Sequence, residues 1–140
     1  MLYLDTSLLV AALTNEARTS DMQTWLAAQD PEALFISEWV ITEFSAALSA
    51  KVRVGHIGAS HRADALAVFT ALTERSFGVL AVSRAEFRAA ARFADQHAIG
   101  LRAGDALHLA VAANHGARLC SLDRTLVNAG DALGVSTAFL

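Results

Sequence analysis

Apolar and polar positions along this chain follow two alternating patterns. Short apolar runs ending at polar residues occur at 2–5 (LYLD) and 34–37 (LFIS); 78–83 (GVLAVS) and 117–123 (ARLCSLD) look similar, and 135–140 (VSTAFL) closes the chain. Such runs fit strands buried on both faces. Between them the apolar spacing approaches the helical period of about 3.6 residues. Residues 19–28 and 59–75 follow it, and 38–50 place Val40, Phe44, Ala47 and Leu48 on one stripe. Ser83 and Glu86 have capping-box spacing ahead of a helix predicted over 84–97. Residues 104–115 read as a helix ended by Gly116, and 124–132 as one ended near Gly134. The opening MLYLDTSLLVAAL lacks a basic leading segment and contains an acid, so it reads as a strand and helix and not as a signal peptide. Pro31 sits in the turn QDPEA, and KVRVGHIGAS (51–60) is the most loop-like stretch, expected to be mobile.

Strand and helix alternate throughout, which predicts an α/β layer fold with a parallel sheet. A length of 140 residues suits one domain, 1–140. With 54% hydrophobic and 18% charged residues the chain has the composition of a folded globule, not of a disordered segment. No apolar run approaches the roughly 20 residues needed to span a bilayer. The single cysteine, Cys120, has no internal disulfide partner, and a reducing cytoplasm is its expected setting.

Most of the fourteen acids stand in polar surroundings, as Glu16, Asp21, Glu32, Asp64, Glu74 and Asp95 do, and read as solvated helix surface. Four differ. Asp5 and Asp123 end apolar strands, Glu43 borders the stripe of its helix, and Asp105 opens the helix GDALHLAVAAN. Each has a plain structural reading: Asp5 and Asp123 as caps of the helices that follow, Asp105 as a charge favoured near a helix N-terminus. Taken together they read differently. Ligand sites of open α/β sheets lie at the carboxyl ends of strands, where strand order reverses. Neighbouring strands would hold Asp5 and Asp123 about 4.8 Å apart. Helices starting or passing at that edge add Asp105 and Glu43. Carboxylates gathered this way repel and require a counter-cation, and neither Asp5 nor Glu43 has a basic neighbour in sequence. An all-oxygen site suits Mg²⁺ or Mn²⁺.

LYLDTSLLV, WVITEFSAAL (39–48), LRAGDALHLAVA (101–112) and CSLDRTLVNAG (120–130) resemble, in order and spacing, the four acidic motifs of PIN-domain ribonucleases, and most closely those of VapC-like toxins. The resemblance covers the whole chain. It implies a three-layer α/β/α PIN-like fold with a central, mainly parallel sheet of about five strands in order 3-2-1-4-5, which makes the first and fourth strands neighbours. It implies that Asp5, Glu43, Asp105 and Asp123 are the catalytic, metal-binding acids, with Ser7 and Ser121 supporting them. It also implies an Mg²⁺ cofactor (Mn²⁺ substituting), an RNA substrate cut by an activated water, a homodimer, and a cognate antitoxin. The apolar faces of 38–50 and 59–75 are the expected groove for that antitoxin.

The formal charge of −3 argues against an RNA partner, but the four proposed site acids account for it and leave the remainder weakly basic. Arg102 and Arg124 flank the acidic motifs and are the candidate phosphate contacts, with ion pairing or plain surface as their alternative reading. No aromatic platform for bases is evident, and Trp25 and Trp39 read as core. His108 and His115 lack further nitrogen or sulfur ligands at zinc spacing, and His108 reads as a packed helix histidine. Rival functions are weaker. A phospho-acceptor domain needs an aspartate where Ser83 stands, and a dinucleotide-binding enzyme needs a glycine-rich loop after the first strand. An RNA-processing PIN nuclease, or an inactive PIN-like module, remains the alternative.

Overall fold

A computed structural model describes residues 1–140. Strands β1 (Leu2–Leu4), β2 (Leu34–Ser37), β3 (Gly78–Leu80), β4 (Arg118–Ser121) and β5 (Thr137–Phe139) form one sheet. All four pairings are parallel and the order is β3-β2-β1-β4-β5. The helices are α1 (Thr6–Leu13), α2 (Thr19–Ala27), α3 (Glu38–Arg53), α4 (Ala59–Arg75), α5 (Arg84–Ala94), α6 (Ala103–Asn114) and α7 (Arg124–Ala132).

Connections from β1 to β2 and β3 run toward one edge, while those from β3 to β4 and β5 run toward the other. Right-handed crossovers therefore put α1–α4 on one face of the sheet and α5–α7 on the opposite face. This is the three-layer α/β/α arrangement. The point where the direction reverses lies between β1 and β4, in the middle of the sheet. Tyr3 and Leu4 are adjacent in β1, point to opposite faces, and are both fully buried. Register across the switch pairs Leu4 with Cys120. Asp5 continues the ladder by one bond, its N–H donating to Cys120 O at 3.0 Å. The first carboxylate is thereby fixed beside Ser121.

Several elements end earlier than the sequence pattern implies. The run 78–83 is a strand only to Leu80, because its partner β2 ends at Ser37, opposite Leu80. Residues 51–60 differ most from expectation. Helix α3 runs on to Arg53, Gly55 turns the chain with φ of 79°, and Ile57 is buried in the core, so only a short connection remains. The apolar faces of α3 and α4 also meet each other, with Phe44 and Phe69 stacked at 4.1 Å between ring centroids. What is left between these helices is a cleft of about 210 Å³ that includes Ile41, Leu66 and Glu74.

The predicted capping box forms. Glu86 accepts the Ser83 N–H at 2.7 Å, and its other oxygen accepts from Asn114 on α6 at 3.1 Å. One carboxylate thus caps α5 and ties it to α6. The hydroxyl of Ser83, the amide of Asn114 and the Ser83 N–H hold its pKa down to about 2, against 4.5 ordinarily. A depressed carboxyl favours the folded state above its unfolded pKa and stops doing so as pH falls through the folded one. Glu86→Gln should therefore be less stable than the parent near neutrality. The gap should narrow as pH drops from about 5 toward 2. Chemical denaturation at a series of pH values tests this, and a gap independent of pH would exclude a charged capping role.

Candidate functional site

Asp5 stands at the N-cap position of α1 without capping it. Its Oδ2 instead accepts from Ser7 Oγ at 2.6 Å and Ser121 Oγ at 2.7 Å. Ser121 Oγ also accepts the Asp123 N–H at 2.9 Å, and Ser7 Oγ the Leu122 N–H at 3.2 Å. Two hydroxyls therefore join the ends of β1 and β4 and aim one buried carboxylate.

Glu43 arrives from the other side of the switch. On α3, Val40, Phe44 and Leu48 face the core, which leaves Glu43 at the stripe's edge, over the end of β1. Thr6 Oγ1 donates to its Oε2 at 2.7 Å. Gly104 on α6 lets it approach: a Cβ there would stand 3.1 Å from Glu43 Oε1 and 3.4 Å from Trp39. Asp105 is in the first turn of α6, and His108 follows on the same face, one turn later. Asp123 caps α7 through Oδ1, which accepts from Thr125 N at 2.8 Å and Leu126 N at 3.2 Å. It also faces the common cavity, so its structural and site readings coexist.

That cavity has a volume of about 320 Å³ and is lined by Asp5, Glu43, Asp105 and Asp123, together with Thr6, Ser7 and His108. No lysine or arginine pairs with any of the four acids. Their counter-charge is His108, only 1% exposed. Its Nε2 lies 2.5 Å from Glu43 Oε2 and 3.5 Å from Asp5 Oδ1. Its Nδ1 lies 2.9 Å from the Tyr3 hydroxyl, which lies 2.7 Å from Ser37 Oγ. Burial alone would lower the His108 pKa, but the hydrogen bond to Glu43 and the charges of Asp5, Glu43 and Asp105 raise it overall. Burial likewise pushes Glu43 up, and it is outweighed by the hydrogen bond and charge of His108 and by Thr6, so Glu43 titrates below its usual range. The buried indole N–H of Trp39 meets no strict hydrogen-bond geometry, yet it stands near enough to Glu43 to lower that pKa further. Asp105 accepts no such hydrogen bond, although the charge of His108 works to lower its pKa. Burial, then the charge of Asp123, raise its pKa. Burial also raises the Tyr3 phenol, which stays protonated.

The donor set fits a divalent cation. One atom each from Asp5, Glu43 and His108 lie within 4.8 Å of one another, and Asp105 and Asp123 face the same space.

The family model for the PIN domain matches residues 2–132. The chain belongs to the PIN-domain family. Among solved structures the PIN domain is similar to VapC20 of Mycobacterium tuberculosis, a sarcin-ricin loop cleaving toxin, at 19% identity and TM-score 0.76, covering 100% of both chains. FitAcB from Neisseria gonorrhoeae gives 19% identity and TM-score 0.73 over 100% of this chain and 97% of the other. PAE2754 from Pyrobaculum aerophilum gives 24% and 0.71 over 97% and 82%. No curated protein matches the sequence significantly.

The four acids and both serines expected from the sequence converge in this PIN domain. Arg102 and Arg124 do not reach the cavity. Arg102 is exposed at the N-cap of α6, and Arg124 lies over the Phe139 ring at 3.9 Å, so neither makes the ion pair considered for it. Two residues have larger parts than the sequence suggested. His108 is packed, as expected, but bonded into the acid cluster, and its spacing of three from Asp105 was the available signal. Trp39 is only partly buried; it separates the acidic cavity from an apolar cleft of about 290 Å³ that includes Phe87 and Leu107.

Asp105 bears its negative charge in the folded state at a cost that the unfolded chain escapes. Its raised pKa places that cost above the unfolded pKa and relieves it as pH falls. In EDTA at neutral pH, Asp105→Asn should melt a few degrees higher than the parent, despite the loss of a charge favoured at a helix N-terminus. The difference should shrink toward pH 3. A variant that melts lower at neutral pH would make Asp105 a helix-stabilising residue only.

Proposed function

We propose that the chain, as one PIN domain over 1–140, is a metal-dependent endoribonuclease and the toxin of a toxin–antitoxin pair. The observation that carries the reading is the cavity at the switch point, where Asp5, Glu43, Asp105 and Asp123 meet with no lysine or arginine paired to them and His108 as their one basic neighbour. A site built in this way attracts a hard divalent cation and, through it, a phosphodiester.

Asp5, Glu43, Asp105 and Asp123 would hold Mg²⁺ or Mn²⁺. Such an ion, when bound, supplies Lewis acidity, making water more acidic and offsetting charge on the phosphate. The residues do the rest. Ser7 and Ser121 keep Asp5 Oδ2 occupied, so its Oδ1 is presented to the cavity. Asp123 Oδ1 is committed to the α7 cap, so Oδ2 is its free oxygen. Asp105, which binds a proton more readily than an ordinary aspartate, suits the carboxylate that orients the attacking water and accepts its proton. Hydroxyl nucleophiles are poorly placed: Thr6 donates to Glu43 and Ser7 to Asp5.

The toxin assignment draws on described relatives. VapC20 is a sarcin-ricin loop cleaving toxin, and VapBC2 from Rickettsia felis and VapBC-1 from Haemophilus influenzae share the fold at TM-scores of 0.71 and 0.70. A cognate antitoxin, a homodimer and a cytoplasmic setting come with this reading. An arginine of such an antitoxin could replace the cation's charge with bidentate contacts to the acids. No helix is long and apolar enough to cross a membrane.

The purified protein should cleave single-stranded or looped RNA with Mg²⁺ or Mn²⁺ and lose that cleavage in excess EDTA. Asp5→Asn and Asp105→Asn should each reduce the rate by at least about 100-fold, the scale of losing a group that stabilises developing charge. Gel-resolved cleavage with matched circular dichroism spectra measures both. Undiminished cleavage in EDTA, or by both folded variants, would remove the metal mechanism.

A further inference from the structure

We propose that His108 is itself a metal ligand, through Nε2, so that the centre is a mixed oxygen–nitrogen site favouring Mn²⁺ over Mg²⁺. This rests on the metal-dependent reading above and deepens it. An all-carboxylate site would lack the nitrogen donor that strengthens this preference.

The geometry brings a nitrogen donor into the acid cluster. His108 Nε2 lies 3.5 Å from Asp5 Oδ1, and ligand atoms from Asp5, Glu43 and His108 lie within 4.8 Å of one another. Two ligands about 2.1 Å from one ion and at right angles stand roughly 3 Å apart, and the Asp5–His108 pair is within about 0.5 Å of that spacing. The Glu43 contact of 2.5 Å is the short one. It must open by about 0.5 Å on that same geometry. Glu43 can do this, since its side chain is 28% exposed and extends from the edge of α3 into an open cavity.

The other ring nitrogen is prepared for the role. Histidines that bind metals usually donate the second N–H to a fixed partner, which sets the ring's tautomer and direction. Tyr3 Oη is that partner at 2.9 Å, and Ser37 Oγ, 2.7 Å further on, can take the phenolic proton. Both are buried, as is the phenol ring of Tyr3, so the imidazole has little freedom to turn away. With Nδ1–H held by Tyr3, Nε2 would be the nitrogen that offers its lone pair to an ion. A histidine present only to hold Glu43 would keep its Nε2–H on that carboxylate with the ion bound. The two roles therefore differ at one atom. Imidazole suits transition ions, whereas Mg²⁺ prefers oxygen and water, which gives the selectivity its direction.

Pulsed electron paramagnetic resonance of the full chain loaded with Mn²⁺ reads that atom directly. The expected result is one strongly bound Mn²⁺ with a ¹⁴N coupling of directly bound imidazole, which changes to ¹⁵N when histidine is labelled and disappears in Asp5→Asn. Bound Mn²⁺ that depends on Asp5 but shows no nitrogen coupling would overturn the ligand assignment and leave the metal-dependent nuclease standing. Absence of any Asp5-dependent Mn²⁺ binding would overturn both. A nitrogen signal that survives His108→Asn comes from a histidine elsewhere and overturns the proposal too. In competition titrations, His108→Asn should lose the preference for Mn²⁺ over Mg²⁺ by about tenfold or more, the scale of disturbing a metal's ligand shell. Equal loss of both ions would assign His108 to positioning alone. If His108→Asn fails to fold, the parent's spectrum still decides.

Discussion

The problem that shapes this molecule is electrostatic. Four carboxylates open into one cavity, one of them buried at the end of a central strand, with no lysine or arginine paired to any of them. Like charges held close oppose folding, because the unfolded chain separates them. The protein offsets this locally. Two serine hydroxyls satisfy one oxygen of Asp5, a threonine satisfies Glu43, and the imidazole of His108 lies between the two acids. Tyr3 and Ser37 hold that imidazole from behind. The chain from Ser37 to Glu43 is a polar line through an otherwise apolar interior. It is tolerable there because each member is hydrogen-bonded.

Topology explains why this polar line can exist at all. At the β1–β4 switch, in the middle of the sheet, two adjacent parallel strands send their following helices to opposite faces, which leaves the strand ends uncovered. Register then does the fine placement. Leu4 pairs with Cys120, the Asp5 N–H reaches Cys120 O, and Ser121 falls next to the Asp5 carboxylate. A one-residue slip would turn Tyr3 and Leu4 to the wrong faces and remove the Tyr3–His108 bond. The same burial that fixes the core therefore fixes the distance between the first and fourth acidic motifs.

Much of this could be read from the sequence. Apolar runs located all five strands and apolar spacing most of the helices, since burial writes both patterns directly into side-chain choice. Ends were less legible, because they depend on partners: β3 stops at Leu80 only because β2 stops at Ser37. Residues 51–60 look polar and glycine-rich, yet most of the helix-to-helix connection is short because one residue, Ile57, reaches the core. The four acids stood out as charges at the borders of apolar segments. His108 did not, since a histidine on a buried helix is commonplace and its partners are 65 and 105 residues away. Trp39 was hidden for a related reason: its apolar body resembles core, while its edge lies against Glu43 and an open cleft.

The site is also uneven in a way that bears on how it receives charge. On one side, Glu43 titrates low because His108 and Thr6 already stabilise its negative form. On the other, Asp105 has no hydrogen-bonding partner to compensate its burial, and the charge of Asp123 adds to the strain. Positive charge supplied by the protein is thus bonded directly to the Asp5–Glu43 half, whereas at Asp105 the charge of His108 acts only through space and does not outweigh burial and Asp123. An entering cation, or a guanidinium from a partner chain, gains most by approaching the Asp105–Asp123 half, at the mouth of the cavity where Asp123 is exposed. Asp5, buried and already bonded to two hydroxyls, is the fixed end toward which such a charge is drawn.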